Sequence, residues 1–227
     1  MSSGGSLYIS QNCQVDGVNV SDGGKLDIYS MCQVSNISVG NCSVNMGGYC
    51  GFTSTVIGAS GSLWMSNYCN AEHLTVGEHA YASVYYTCNV TNVSVSSGGY
   101  FYLSQNCSAT DLNLADGGTA WICNSCNLTN VTLGPGATLT ASLFTGLENV
   151  RLSSGAVMWM HSSQCHATNV AVSEGGSLCL SRYNFATSVT VDSGGFLYVA
   201  SGASAFAVTS SAGANITVET GGYIEYV

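Results

Sequence analysis

Eleven cysteines are the residues of this chain best suited to do chemistry, and seven of them recur at a nearly constant spacing. Intervals of 19, 18, 19, 19, 19 and 19 residues separate Cys13, Cys32, Cys50, Cys69, Cys88, Cys107 and Cys126. Thiols in such a series could fill a core, pair as disulfides or bind a metal. The spacing predicts one structural position repeated along the chain, because a fixed period identifies a repeat fold.

Acid–base and metal chemistry have few other candidates in this sequence. Polysaccharide-cleaving enzymes need paired carboxylates or a basic residue near them, and the three basic residues here fall in separate repeats. His161, Cys165 and His166 form the one local cluster of metal-capable side chains, and we interpret it as a surface loop. We therefore predict no catalytic residue, no metal site and no cofactor.

A 19-residue unit accounts for the cysteine spacing. The segments SSGGSLYISQNCQVDGVNV (2–20), SDGGKLDIYSMCQVSNISV (21–39), SSGGYFYLSQNCSATDLNL (96–114) and ADGGTAWICNSCNLTNVTL (115–133) overlay position for position. Further units begin near Gly40, Gly58, Gly77, Gly134, Ser153, Ser173, Asp192 and Glu219, with one residue missing in the third, one extra in the ninth and about eight extra after Asp192. This division predicts eleven complete units and a partial twelfth.

Within a unit, apolar residues occupy positions 6 and 8 (Leu7, Ile9) and positions 14, 17 and 19 (Val15, Val18, Val20). This is strand periodicity, and Gly-Gly at positions 3 and 4 provides a turn. Two short strands cannot close a core alone, so equivalent strands must stack. The sequence predicts an all-β, single-stranded parallel β-helix (β-solenoid) of about twelve 19-residue rungs, forming one continuous repeat domain over residues 1–227.

In a parallel β-helix each unit position becomes a column, and position 12 holds the seven regularly spaced cysteines, here called the thiol ladder. Burial at the second corner of each rung is favoured, because Cys is small and frequently buried. Disulfides and metal binding remain alternatives. The Cβ atoms of stacked cysteines would lie about 4.8 Å apart, which exceeds the usual Cβ–Cβ distance in a disulfide. A metal ion needs ligands that converge on one point, whereas a straight ladder places the thiols along a line. Thr145 interrupts the ladder, and Cys165 is predicted to lie one place out of register.

Position 7 should face outward between two buried positions, yet it is rich in aromatic residues. This aromatic column contains Tyr8, Trp64, Tyr102, Trp121, Trp159 and Tyr198. Position 5 adds Tyr81, Tyr100, Phe196 and Tyr223 on the predicted same face. Exposed aromatic area marks a contact surface, although aromatic side chains also stack on their neighbours across a sheet. Both interpretations stay open.

Charge excludes one class of partner. Only 7% of residues are charged, the net charge is -9, and the basic residues are Lys25, Arg151 and Arg182 alone. Nucleic acid binding is excluded, since it needs clustered Lys and Arg. No apolar run approaches the ~18 residues of a spanning helix, so no transmembrane segment is predicted.

The S-x-G-G opening and T-x-V ending of the 19-residue unit resemble the passenger repeats of AIDA-type bacterial autotransporter adhesins, although those are usually poor in cysteine. The resemblance implies a secreted or cell-surface β-helix, cut from a longer precursor, that mediates cell adhesion, autoaggregation or biofilm formation. It also implies O-heptosylation of repeat Ser and Thr residues. The corresponding candidate glycan acceptors are Ser2, Ser21, Ser96, Ser153 and Ser173.

Three functional hypotheses follow. The first is a non-catalytic adhesin segment that contacts host-cell or bacterial surface glycans or proteins, or self-associates. The second is a structural β-solenoid that stacks end to end into fibres through strand edges on its terminal rungs. The third is a polysaccharide-acting enzyme, which would need carboxylates and a basic residue in one cleft.

Overall fold

A computed structural model describes residues 4–162 and 164–227. Each repeat contributes two β-strands, and the second is the longer in all but the last repeat. The short strands are β1 (Ser6–Ile9), β3 (Lys25–Tyr29), β5 (Ser43–Gly47), β7 (Ser62–Ser66), β9 (Tyr81–Tyr85), β11 (Tyr100–Ser104), β13 (Thr119–Cys123), β15 (Thr138–Ala141), β17 (Val157–Met160), β19 (Ser177–Leu180), β21 (Phe196–Val199) and β23 (Asn215–Val218). The second strands are β2 (Gln14–Val20), β4 (Gln33–Val39), β6 (Gly51–Ile57), β8 (Asn70–Val76), β10 (Asn89–Val95), β12 (Ser108–Leu114), β14 (Asn127–Leu133), β16 (Gly146–Leu152), β18 (His166–Val172), β20 (Phe185–Val191), β22 (Ser204–Ser210) and β24 (Tyr223–Tyr226).

These strands form two parallel sheets of 12 strands each, and each strand pairs with the equivalent strand one repeat away. The short strands make the first sheet and the second strands make the second sheet. Ser6 lies opposite Lys25 in the first sheet, and Val90 lies opposite Ala109 in the second, so the pairing follows the 19-residue period. The predicted parallel β-solenoid of about twelve coils is confirmed. No helix in the described ranges is long and apolar enough to cross a membrane.

The core lies between the two sheets and is filled by the apolar columns. Leu26, Phe101 and Leu139 in the first sheet are fully buried, and Leu133 in the second sheet is buried in the same core. Each buried aliphatic or aromatic side chain contributes about 1.5–3 kcal/mol through the apolar surface it removes from water. Because every coil repeats the same inward positions, the core continues along the rod.

The uneven apolar spacing of the second strand has a backbone cause. Val34 and Ile37 are both buried although they are three positions apart, which a regular strand would not allow. Asn36 between them has a positive φ of 54°, and this kink turns the following residue inward again. Asn92, Asn130 and Asn169 repeat the kink, in keeping with the tolerance of Asn for left-handed backbone.

The last repeat differs from the prediction. The strands β21 and β22 complete an ordinary coil after Asp192, and β23 pairs with β21, so the twelfth coil begins near Ser211 and not at Glu219. The Gly221-Gly222 turn precedes β24, which pairs with β22. Tyr223 therefore lies on the second sheet, away from the first-sheet aromatics. A Gly-Gly pair suits a tight turn at either corner, so it does not identify which corner it forms.

We expect glycine at the first corner to be needed because it adopts a left-handed backbone readily, and not because a side chain would lack space there. Gly117 has a φ of 71°, and a Cβ placed there would approach nothing closer than the Ser97 hydroxyl at 3.7 Å. Ser60 and His79 hold the same position in other coils with φ of 59° and 53°. We expect Gly117→Ala to lower the free energy of unfolding by about 1 kcal/mol, because only strain is added. Urea denaturation checks this, and Gly117→Asn should cost less; an equal loss in both variants would contradict the strain account.

Candidate binding surfaces and the thiol ladder

The thiol ladder lies at the second corner of each coil, immediately before the second strand. Cys32, Cys50, Cys69, Cys88, Cys107 and Cys126 are buried, and Cys13 is half-buried. All eleven cysteines of the chain are free thiols in this structure. The ladder thus places its sulfurs against the interior in successive coils.

Cys165 belongs to the same column, contrary to the sequence prediction. His166 lies opposite Gly146 in the second sheet, so Cys165 lies beside Thr145, and both are fully buried. The extra residue of the ninth repeat falls in the turn before Cys165, where it is absorbed without shifting the strands. Two further coils continue the column with buried Asn184 and Ala203.

Most side chains of the column donate a hydrogen bond to the carbonyl three residues earlier. The Cys32 thiol donates to the Tyr29 carbonyl at 3.0 Å, and the Cys126 thiol donates to the Cys123 carbonyl at 3.0 Å. The Thr145 hydroxyl makes the equivalent bond at 2.6 Å. The column side chain therefore satisfies a corner carbonyl that would otherwise be left without a donor.

Some side chains of the column accept a hydrogen bond from the preceding coil. The Cys69 amide donates to Cys88 Sγ at 3.3 Å, and the Cys88 amide donates to Cys107 Sγ at 3.2 Å. The Cys165 amide donates to Asn184 Oδ1 at 2.9 Å. Cys, Thr and Asn are all small residues that carry both a donor and an acceptor. This shared property explains why Thr and Asn can replace Cys at this position of the coil.

Backbone geometry determines where a thiol is needed. In coils one to eight, two successive corner residues have positive φ, as Asn67 and Tyr68 do at 61° each. In coil eleven only Gly202 does, and the Ala203 amide donates directly to the Ala200 carbonyl at 3.0 Å. A side-chain donor is then unnecessary, and Ala occupies the column. The thiol thus replaces a backbone hydrogen bond in the double left-handed corner.

Neighbouring thiols of the central ladder influence one another's ionisation. Their interaction raises the pKa of Cys50, Cys88 and Cys126 and lowers the pKa of Cys69 and Cys107. Burial raises the pKa of the Cys179 thiol, which lies outside the ladder. The ladder therefore titrates as one coupled unit rather than as independent thiols.

The predicted surface cluster near residue 161 is split by the fold. Cys165 points into the column, whereas His166 is exposed and stacks on Phe185 with ring centroids 5.7 Å apart. His161 is exposed in the preceding turn. Among residues 4–162 and 164–227, no three His, Cys, Asp or Glu side chains converge as a metal site.

The aromatic column lies on the outer face of the first sheet and is discontinuous. Tyr8, Trp64, Trp121 and Trp159 are exposed, and Tyr102 and Tyr198 are half-buried. Small or polar residues separate most of them, as Cys179 separates Trp159 from Tyr198. Only Tyr102 and Trp121 are adjacent. The column is therefore a series of exposed aromatic groups rather than an unbroken stripe.

Several of these aromatic side chains also bind the next coil. The Tyr102 hydroxyl lies 3.3 Å from Cys123 Sγ, and this hydrogen bond raises the pKa of Tyr102. The Tyr198 hydroxyl donates to Glu219, which raises the pKa of Tyr198 and lowers that of Glu219. Part of the column thus links neighbouring coils, and its role in contacting a partner stays a prediction.

Sequence reasoning missed a second group of exposed apolar side chains, at the second corner. Its members are Met31, Tyr49, Tyr68, Tyr86, Leu143, Phe144 and Tyr183, each between 41% and 61% exposed. All of them have positive φ. The signal in the sequence was a large side chain at positions 10 or 11, where a turn normally carries Gly or Asn.

The candidate glycan acceptors differ in accessibility. Ser21 is exposed, whereas Ser96, Ser153 and Ser173 are half-buried at the start of their coils. Ser2 lies outside the described residues. The adjacent Ser97 and Ser154 are fully on the surface. Ser97 and Ser154 are thus more accessible to a modifying enzyme than the predicted residues beside them.

Comparison with known proteins identifies the repeat. Residues 163–214 match the family profile described as adhesin of bacterial autotransporter system, probable stalk, or AIDA. Within this range the repeats are of the AIDA adhesin type. A stalk of this kind is secreted or lies on the bacterial surface, and the AIDA-type segment has that location. No curated protein matches the chain.

One solved structure shares the fold of this chain, and a second aligns more weakly. The crystal structure of a TibC-catalysed hyper-glycosylated TibA fragment aligns with a TM-score of 0.58 and 19% identity, over 98% of this chain and 92% of that one. The A-module of the mannuronan C-5 epimerase AlgE4 from Azotobacter vinelandii aligns with a TM-score of 0.45 and 11% identity, over 98% and 86%.

Thiol accessibility gives a direct test of the ladder. Only Cys13 and Cys179 are half-buried, and the other nine thiols are buried. We expect a maleimide to label these two cysteines in the native AIDA-type segment and the remaining nine only after unfolding. Mass spectrometry of tryptic peptides reads out the sites. Rapid native labelling of Cys69, Cys88 or Cys107 would contradict the buried ladder.

The hydrogen-bonding role of the thiol can be separated from its volume at Cys88. Its sulfur donates to the Tyr85 carbonyl at 3.2 Å and accepts from the Cys69 amide. We expect Cys88→Ala to lower the free energy of unfolding by about 2 kcal/mol or more, because two buried backbone groups lose their partner. Cys88→Ser should cost under about 1 kcal/mol, because a hydroxyl keeps both roles.

Urea denaturation of both variants makes the comparison. Cys179→Ala serves as the matched control, because this half-buried thiol lies on the outer face of the first sheet, and it should change stability by under about 0.5 kcal/mol. If Cys88→Ser were as destabilising as Cys88→Ala, the loss of packing volume and not of hydrogen bonds would explain the ladder.

Proposed function

We propose that this AIDA-type segment is a non-catalytic β-solenoid stalk that takes part in adhesion, through cell attachment, autoaggregation or biofilm formation. The observation that carries the proposal is the set of exposed aromatic side chains on the outer face of the first sheet. Trp121 is 47% exposed and Trp159 is 43% exposed. Contiguous exposed apolar area on a soluble protein tends to mark a contact surface, and the adjacent Tyr102 and Trp121 side chains provide such area.

The chemistry of the surface supports binding over catalysis. The Lys25–Asp27 ion pair at 2.9 Å lies at the outer face of the first sheet, and Arg151 borders a shallow hollow with Asn149 and Asn169 rather than with a carboxylate. An acid–base enzyme would need such groups to converge in one cleft. The adhesin character of the repeats supports the same non-enzymatic role.

Glycosylation belongs to the proposal as a modification of the stalk. The structurally similar TibA fragment is described as hyper-glycosylated by TibC. By analogy we propose O-linked heptose on corner serines of this chain. Exposed Ser21, Ser97 and Ser154 are more accessible acceptors than half-buried Ser96, Ser153 and Ser173.

Removing aromatic area from the first sheet tests the contact surface. Beads coated with the Trp64→Ser, Trp121→Ser and Trp159→Ser triple variant should attach to cultured epithelial cells, or to one another, about tenfold less than wild type, because buried Trp side chains dominate interface energetics. A triple Trp→Tyr variant is the matched control and should retain most attachment. Unchanged attachment by the Ser variant would show that the aromatic column does not contribute to adhesion.

A further inference from the structure

A shallow groove crosses the outer face of the second sheet over coils two to five. It encloses about 350 Å³ and is lined by Gln33, Thr53, Asn70, Glu72 and Thr91, with Tyr49 at its rim. A second hollow of about 320 Å³ extends it toward the first coil and shares Gln33 and Thr53. Gly51 deepens the groove, because a Cβ there would collide with the Gln33 side chain.

Tyrosines occupy the second corner in three consecutive coils, and Tyr49 among them lines this groove. We call Tyr49, Tyr68 and Tyr86 the tyrosine ridge. The Tyr49 and Tyr68 rings stack with centroids 5.0 Å apart and planes within 6°. The three side chains are 61%, 51% and 49% exposed. Their φ angles are 64°, 61° and 58°, a left-handed conformation that is unfavourable for bulky residues.

The fold does not require tyrosine at these positions. In coil six the equivalent corner residues are Gln105 and Asn106, and in coil seven they are Asn124 and Ser125, all with positive φ. Small polar residues therefore form the same corner without exposing an aromatic ring. The ridge is confined to coils beside the groove, so stability alone does not account for it.

The groove offers hydrogen-bonding groups that the fold leaves available. The Gln33 amide and the Thr53 and Thr91 hydroxyls make no hydrogen bond to another described side chain or backbone group, and Asn70 uses only its oxygen, which accepts from Asn89 at 3.0 Å. Glu72 is the one carboxylate, it pairs with His73 at 3.4 Å, and no Lys or Arg lines the groove. Amides and hydroxyls beside an aromatic rim suit a ligand that presents both hydroxyl groups and apolar C–H faces.

We propose that this groove binds a neutral, extended oligosaccharide, with sugar faces against the tyrosine ridge and sugar hydroxyls bonded to Gln33, Asn70 and the threonines. The inference rests on the proposed adhesive function and supplies it with a ligand class. Coils two to five span about 14 Å at the usual strand spacing, which is the length of a short oligosaccharide. An anionic glycan would lack basic partners here and would face Glu72.

A peptide ligand fits less well. Extended peptides bind sheets by adding a strand at an open edge. The groove lies on the face of a sheet whose strands in coils two to five are paired on both sides, so no backbone groups are free to receive a strand.

The same combination of features recurs once along the rod. In coil eight an exposed Phe144 precedes Gly146, and Glu148 and Thr129 line a hollow of about 320 Å³. A glycine at the start of the second strand again stands between larger neighbours, Asn127 and His166. A second copy of the arrangement supports a repeated binding mode along the rod.

The test titrates the purified segment with cellohexaose, mannohexaose, chitohexaose, maltohexaose and hexagalacturonate by isothermal calorimetry. We expect at least one neutral hexasaccharide to bind and the acidic one not to bind. The variant Tyr49→Asn, Tyr68→Asn, Tyr86→Asn should weaken binding about tenfold or more, since stacking on exposed rings is lost, without lowering Tm. Asn70→Ala, which leaves the ridge intact, should also weaken binding. Tyr183→Asn, which removes an exposed second-corner tyrosine in coil ten outside the groove, is the matched control and should bind like wild type.

Four results overturn the inference: no neutral hexasaccharide binds the wild-type protein, hexagalacturonate binds as well, the triple tyrosine variant binds unchanged, or the Tyr183→Asn variant loses binding. Bead attachment to cells is measured in parallel. Attachment without saccharide binding would reject this groove and leave the adhesive function standing. Saccharide binding that the tyrosine variant abolishes, in a protein whose beads do not attach, would support the groove and reject the adhesive function.

Discussion

The pairing of backbone groups at the second corner is the constraint on which the rest of the rod depends. Two successive left-handed residues turn the chain sharply there, and the turn leaves one carbonyl without its local donor and one amide without an acceptor in its own coil. The column side chain supplies both, as Cys88 does between Tyr85 and Cys69. Burial without such partners would cost about 1–3 kcal/mol for each group. Because this double left-handed corner repeats in coils one to eight, the requirement repeats there as well, and a ladder of small donor–acceptor residues is the consequence.

This constraint also explains the placement of the other columns. With the corner held, the second strand begins at a fixed residue, and the kink at Asn36 and its equivalents then directs both Val34 and Ile37 into the core. Register between coils follows from the same repeated geometry, since a one-residue slip would turn every inward side chain to solvent. The ninth repeat shows how strong the preference is: its extra residue is taken up in the turn, and Cys165 keeps its place beside Thr145. The spacing of the aromatic side chains on the outer faces follows from this register between coils.

Much of the architecture could be predicted from the sequence, because the 19-residue period, the alternation at positions 6 and 8 and the Gly-Gly turns are local signals. The inward position of the cysteine column also followed from the repeat. What could not be predicted depends on pairing between coils. The register of Cys165, the true start of the twelfth coil and the second-sheet location of Tyr223 are set by which strand each segment pairs with. The tyrosine ridge was missed because its residues occupy turn positions that vary from coil to coil and that ordinarily carry no surface function.

If the thiols are the hydrogen-bonding partners of buried backbone groups, the hydrogen exchange of the Cys69 amide must depend on the side chain at residue 88. The measurement compares the protection of the Cys69 amide in wild type, Cys88→Ala and Cys88→Ser by NMR. The account predicts a selective loss of protection at Cys69 in the alanine variant and near-native protection in the serine variant, because only the hydroxyl can still accept from that amide. Unchanged protection of the Cys69 amide in the alanine variant would contradict this role. The thiols would then matter only for the volume that they fill in the core.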